Sequence, residues 1–168
     1  MTHAHSILLV DDDPKVIKGL SRQLHQEPYQ IFTALSANEA LKILREQQID
    51  LILSDEKMPL ITGSELVSTV RCLYPNIICL MLSGEKNFEA VVKSLNEGEI
   101  FRFLKKPCDS LELITQIRLA LEQRFFLLQS REKLDPHQKE LQLIKQLKKE
   151  HPDLFEGHYD ERGNLIID

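Results

Sequence analysis

Four polar clusters stand directly after apolar runs, and their side chains are those of a site for a charged ligand. Asp11, Asp12 and Asp13 follow Val10. Asp55, Glu56 and Lys57 follow Leu53 and Ser54. Ser83 and Gly84 follow Leu82, and Lys105 and Lys106 lead into Pro107. Carboxylates crowded together repel and raise one another's pKa. A hard divalent cation relieves this, and Mg2+ favours one or two carboxylates combined with water and phosphate oxygens. A metal, the Ser83 hydroxyl, a backbone N–H and a lysine ammonium at one rim would together neutralise a phosphoryl group on Asp55. Phosphoryl transfer asks a protein mostly for positioning and charge neutralisation.

The elements that must gather these residues are written in the hydropathy pattern. Five apolar runs, at 7–10, 29–33, 50–53, 76–82 and 100–104, each precede a stretch with helical spacing. The first, third and fourth are almost continuously apolar, as strands covered on both faces are. The second and fifth are shorter or mixed and suit sheet edges. One helical face carries Ile17, Leu20 and Leu24, another Ala37, Ala40, Leu41 and Leu44, and a third Leu66 and Val70. Phe88, Val91, Val92 and Leu95 mark a fourth helix, and Leu111, Ile114, Ile117 and Leu121 a fifth. Capping-box patterns open three of them: Ser36 with Glu39, Thr62 with Glu65 and, more loosely, Asp109 with Glu112. Repeated β-then-α units imply right-handed crossovers and a parallel sheet between helices, an α/β fold. The flavodoxin-like, doubly wound five-stranded order 2-1-3-4-5 puts the mixed runs at the edges. It also makes strands one and three neighbours, so Asp11, Asp12 and Asp55 should converge where such sheets bind ligands.

At 168 residues the chain is long enough for one packed domain and an appendage. The alternation stops near Gln123, which divides the chain into a domain over 1–124 and a helical extension over 125–168. The fifth helix continues through Phe125, Phe126, Leu127 and Leu128 toward Leu134. Asp135 and Pro136 then read as an N-cap and first helical position, opening a helix to about Glu150, and a short glycine-turn hairpin closes the chain after Glu156. Leaving the four apolar residues 125–128 in water is unfavourable, since each buried side chain of this kind contributes roughly 1.5–3 kcal/mol. Either they pack on Leu141, Ile144 and Leu147, or two copies meet through them; a homodimer is the reading preferred. The net charge of −5 argues against direct nucleic-acid binding. No apolar run spans a bilayer, and Met1 to His5 lead straight into a strand without a signal peptide. Cys72, Cys79 and Cys108 lack metal-ligand spacing and read as small buried apolar residues in a reducing cytoplasm.

From about Ser6 to Gln123 the chain resembles the CheY-like receiver domain of two-component response regulators. The resemblance rests on Asp11 and Asp12, the stretch Asp55, Glu56, Lys57, Met58 and Pro59, then Ser83 and Gly84, Phe103, and Lys106 with Pro107, in that family's order. It implies that Asp55 is the phosphoacceptor, loaded by a sensor histidine kinase or phosphotransfer protein in a phosphorelay. It further implies that Asp12 ligates Mg2+ directly, Asp11 directly or through water, and that Asp55 and the Lys57 backbone carbonyl complete the protein ligands. Ser83 would hydrogen-bond the acyl phosphate and Lys106 would pair with it. Phe103 stands at the aromatic switch position, where the family more often has tyrosine, so a switch there rests on packing alone. A downstream protein partner would read the altered surface. Asp13 reads as a loop residue or N-cap, Lys105 and Glu56 as solvated, and Met58 with Pro59 as loop-shaping.

Two further expectations concern chemistry. Lys57 and Glu85, each two positions past a site residue, could bridge the phosphoryl face and slow dephosphorylation, or be solvated independently. An aspartate-nucleophile phosphatase of the haloacid dehalogenase type is the alternative. Its signature fits Asp11 and Asp13 only by force, because position 15 is Lys. The stretch 96–103 resembles receivers of regulators with cyclic-dinucleotide phosphodiesterase or transcription-activator outputs, neither of which is visible in this chain.

Overall fold

The structure is a computed structural model that describes residues 4–84, 89, 92, 93, 96, 97, 100–132 and 136–150. The strands are β1 (His5–Val10), β2 (Tyr29–Ala34), β3 (Leu51–Asp55), β4 (Ile78–Ser83) and β5 (Arg102–Lys105). The helices are α1 (Pro14–Leu24), α2 (Ala37–Glu46), α3 (Gly63–Leu73), α4 (Ser110–Glu132) and α5 (Pro136–Glu150). All strand pairs are parallel, in the order β2-β1-β3-β4-β5, the flavodoxin-like order expected.

Strand periodicity decides which side chain faces which layer. Leu8, Val10, Ile52, Cys79 and Met81 face α2 and α3, meeting Ala40, Leu44, Leu66 and Val70. Ile7, Leu9, Leu51, Leu53, Leu80 and Leu104 face the other way, onto Leu20 and Leu24 of α1 and Leu113, Ile117 and Leu121 of α4. The three central strands are buried on both faces apart from His5, whereas β2 and β5 are partly exposed, which accounts for their mixed composition.

The helix starts follow the sequence closely. Asp13 caps α1, its side chain accepting from the Lys15 N–H, with Pro14 at the first position. At α3 Thr62 and Glu65 complete a reciprocal capping box. At α2 Ser36 accepts from the Glu39 N–H, while the Glu39 carboxylate reaches one residue further back, to the Leu35 N–H at 3.1 Å. Asp109 accepts from the Glu112 N–H at 2.9 Å. Three expectations are corrected. Leu111 is 77% exposed, and Leu113 takes its place on the buried face of α4. Cys72 is exposed and Cys108 half-buried, so only Cys79 behaves as a core residue. Glu56 is buried. The hairpin after Glu156, the Asp135 cap and most of the helix expected around Phe88 to Leu95 lie outside the described residues.

The chain divides into two compact units, Met1–Leu128 and Gln129–Asp168. Among the described residues no helix is long and apolar enough to cross a membrane.

Candidate functional site

The site stands on strand ends. Asp55 is the last residue of β3, Ser83 the last of β4, and Lys106 follows β5 directly. Asp11 follows β1, its N–H donating to the Ala34 carbonyl of β2 at 3.2 Å. The Lys106 N–H donates to the Ser83 carbonyl at 3.0 Å, and the Glu56 N–H to the Leu82 carbonyl at 3.1 Å. Hydrogen bonds between strands thus carry on past the last paired residues and hold the rim in register.

Side chains converge as the sequence predicts. Carboxylate oxygens of Asp11, Asp12 and Asp55 lie within 4.8 Å of one another. The Lys106 Nζ lies 2.9 Å from Asp55 Oδ1 and 3.0 Å from Asp11 Oδ2. Asp11 and Asp55 are buried and Asp12 is exposed. Together with Lys57, Met58 and Gly84 these groups line one open cleft. Burial pushes the Asp55 carboxyl above its ordinary pKa; Lys106 pulls it down, and Asp11 and Asp12 add to the rise. Burial works against the Lys106 ammonium too, but its bonds to Asp55 and Asp11 prevail and raise its pKa. A buried pair of acids with one shared amine and an exposed third acid is a donor set of hard oxygens. Such a set fits a small divalent cation.

Ser83 is 4% exposed, and its hydroxyl donates to the Gly84 carbonyl at 3.0 Å. Phe103 is half-buried, paired in register with Met81 and packed against the α2/α3 side of the core. Lys57 is exposed, and Glu85, its expected partner, lies outside the described residues. Asp13 caps α1, its Oδ1 accepting from the Lys15 N–H, and also lines the cleft. Asp11 Oδ1 also accepts from the Asp13 N–H at 2.9 Å, so one carboxylate serves both the site and the entry to α1.

Two features were not read from the sequence. Glu56 is 5% exposed, and its Oε2 accepts from both the Ser64 N–H at 2.9 Å and the Ser64 hydroxyl at 2.7 Å. Burial raises its pKa and the Ser64 hydrogen bonds oppose that. The second is Gly63. A Cβ there would collide with the Asp55 carbonyl oxygen and stand 2.9 Å from the Asp55 carbonyl carbon and Glu56 Cα. Only a residue without a side chain lets α3 begin so close to the end of β3. A glycine opening a capped helix was the available signal for Gly63; nothing in the spacing marked Glu56.

Comparison with known proteins agrees with this geometry. Residues 7–118 match the response regulator receiver domain family. The chain is 36% identical over 125 residues to the transcriptional regulatory protein GlrR of Escherichia coli, covering 73% of this chain and 28% of GlrR. It is 34% identical over 117 residues to the hydrogenase transcriptional regulatory protein HoxA of Cupriavidus necator, covering 70% of this chain and 24% of HoxA. Among solved structures, the signal receiver domain of an HD domain-containing protein from Pseudomonas fluorescens superposes with a TM-score of 0.70 at 33% identity. That match covers 73% of this chain and 98% of the other. The chain belongs to the response regulator receiver domain family. It spans about a quarter of the length of the two regulators named.

Proposed function

We propose that Asp55 accepts a phosphoryl group from the phosphohistidine of a sensor histidine kinase or a phosphotransfer protein, and that the modified surface controls a protein partner. The observation that carries this reading is the convergence of Asp11, Asp12 and Asp55 on one point with the Lys106 ammonium bonded to two of them. A carboxylate oxygen of Asp55 forms the O–P bond as the donor's N–P bond breaks, and the released imidazole nitrogen keeps the electron pair. Lys106 stays beside the reacting carboxylate and offsets charge on the phosphoryl oxygens, while Ser83 supplies a hydroxyl on the neighbouring strand end. Asp11, Asp12, Asp55 and the Lys57 backbone carbonyl would hold Mg2+. The ion supplies positive charge to the phosphoryl oxygens when bound. The chain is then a signalling domain that catalyses only its own phosphorylation and dephosphorylation, acting in the cytoplasm where kinases of this class present their phosphohistidine.

Phosphorylation adds charge and acceptor oxygens opposite two donors. Ser83 turns from the Gly84 carbonyl toward the phosphoryl group, and Phe103, partly buried beside Met81, fills the space released. Residues 1–124 form the receiver and 125–168 the extension. Phe125, Phe126 and Leu127 are all about half exposed on α4, and we assign them to a homodimer contact. The net charge of −5 supports a protein partner over direct nucleic-acid binding by these 168 residues. The transcriptional names of GlrR and HoxA oppose carrying that inference beyond this chain.

The test is incubation with Mg2+ and acetyl phosphate followed by intact-mass spectrometry. A phosphoryl adduct in the wild-type chain, absent from Asp55→Asn, is expected. An adduct that persists in Asp55→Asn refutes the assignment, and turnover of a phosphate ester would favour the phosphatase class. Light scattering that finds one copy in both phosphorylation states removes the dimer.

A further inference from the structure

The geometry points to Glu56 as a positioning residue for the metal site: its carboxylate, bonded to Ser64, holds the loop that carries the Lys57 carbonyl. This rests on the reading of Asp11, Asp12, Asp55 and Lys57 as the cation ligands. Glu56 lies between the acceptor and that carbonyl in sequence, and it is bonded three ways. Its N–H donates to Leu82 of β4 at 3.1 Å, its carbonyl accepts from the Gly63 N–H at 2.9 Å, and its Oε2 receives both donors of Ser64. Residues 57–62 are therefore a loop whose two ends are fastened to each other. The backbone fastening is the Gly63 bond, and the side-chain fastening is the Ser64 pair.

A buried acceptor oxygen is the group suited to this role. The first N–H groups of a helix have no partner within it. Ser64 is the second residue of α3, and Thr62 already serves the Glu65 N–H. Glu56 takes the Ser64 N–H that the capping box leaves over. With the residue 5% exposed, water does not replace these bonds readily. Losing them frees the loop to turn the Lys57 carbonyl away from Asp11 and Asp12. Residues that hold a metal ligand in place typically change affinity by about 10–100-fold when removed.

Calorimetric titration of the unphosphorylated protein with MgCl2 tests this without reference to phosphoryl transfer. Glu56→Ala should weaken Mg2+ binding by about tenfold. Glu56→Gln retains an acceptor oxygen for both Ser64 donors and should stay within about twofold of wild type. Ser64→Ala should weaken binding by about fivefold, the effect of one hydrogen bond, and Glu56→Ala with Ser64→Ala together should be no worse than Glu56→Ala alone. A purely structural role would lower the melting temperature and leave the Mg2+ affinity of the folded protein unchanged; that outcome overturns the proposal. So does equal weakening in Glu56→Gln and Glu56→Ala, which would make the charge and not the bracket responsible. If Glu56→Ala does not fold, Ser64→Ala decides alone, and wild-type affinity in it counts against the idea. Absence of Mg2+ binding in the wild-type protein would instead defeat the ligand assignment itself.

Discussion

Lys106 Nζ stands 2.9 Å from Asp55 and 3.0 Å from Asp11, so a single ammonium balances two buried carboxylates that come from different strands. Removing one partner of such a cluster leaves like charges without compensation. Lys106→Met should lower the stability of the metal-free protein by about 1–2 kcal/mol, a figure reduced for the partial exposure of the lysine. Mg2+ should restore most of that loss, and should bind more tightly than to wild type. The raised pKa of Lys106 means that its contribution is present below the ordinary lysine value and is lost as pH rises through the higher folded value. Denaturant titrations should find the wild-type advantage over Lys106→Met constant up to about pH 10 and shrinking above it.

Asp55 behaves oppositely to a salt-bridged surface acid. Burial raises its pKa, so between the ordinary aspartate value and the raised one the folded state holds more protons than the unfolded state. Its contribution to stability is therefore greatest at low pH and falls as pH rises through that window. At pH 7 without metal, Asp55→Asn should melt about 2–4 °C higher than wild type, corresponding to roughly 1 kcal/mol. It should also gain less from added Mg2+. A lower melting temperature in Asp55→Asn would contradict a carboxylate held at the cost of its burial.

Gly63 admits no methyl group. Gly63→Ala drives a Cβ into the Asp55 carbonyl, a backbone atom that cannot rotate away. The expected cost is about 3 kcal/mol or more, at the upper end for overpacking. In a protein that still folds, the displaced Asp55 should show weaker Mg2+ binding by calorimetry.

Leu60 is the reverse case. It has a φ of 69° and is 96% exposed, so a β-carbon is strained there with no burial in return. Asparagine tolerates this backbone region, and Leu60→Asn should stabilise the protein by about 0.5–1 kcal/mol. Leu60→Pro, which requires a negative φ, should be markedly destabilised. Chemical denaturation midpoints of the two variants give the comparison directly.

Much of the fold was legible because strand burial writes itself in period and length. Runs of Ile, Leu and Val at the centre and mixed runs at the edges follow from how many faces a strand covers. The acids and the lysine were legible for a related reason: each stands immediately after such a run, so topology alone brings Asp11, Asp55 and Lys106 together. The phase of α4 was less accessible. Leu113 lies four residues before Ile117 and eight before Leu121, on one helical face, whereas Leu111 lies six before Ile117 and falls off it; the expected stripe was begun at the wrong leucine. Glu56 was misread because a charged residue in a loop is ordinarily solvated; the partner that permits its burial is eight residues away, on a different element. Arg124 is another such case. It donates to the Asn76 carbonyl at 2.8 Å and pairs with Asp50 at 3.0 Å, contacts that no local pattern announces.

The double duty of Asp11 has a consequence for ion choice. One of its oxygens holds the Asp13 N–H and the other meets Lys106, so it cannot shift without disturbing the start of α1. Asp12, exposed and not tied in this way, is the ligand left to follow the radius of whatever ion arrives. Size discrimination between small octahedral cations such as Mg2+ and Mn2+ should therefore be shallow. A larger ion such as Ca2+, which wants more oxygens than this rim offers, would be poorly served.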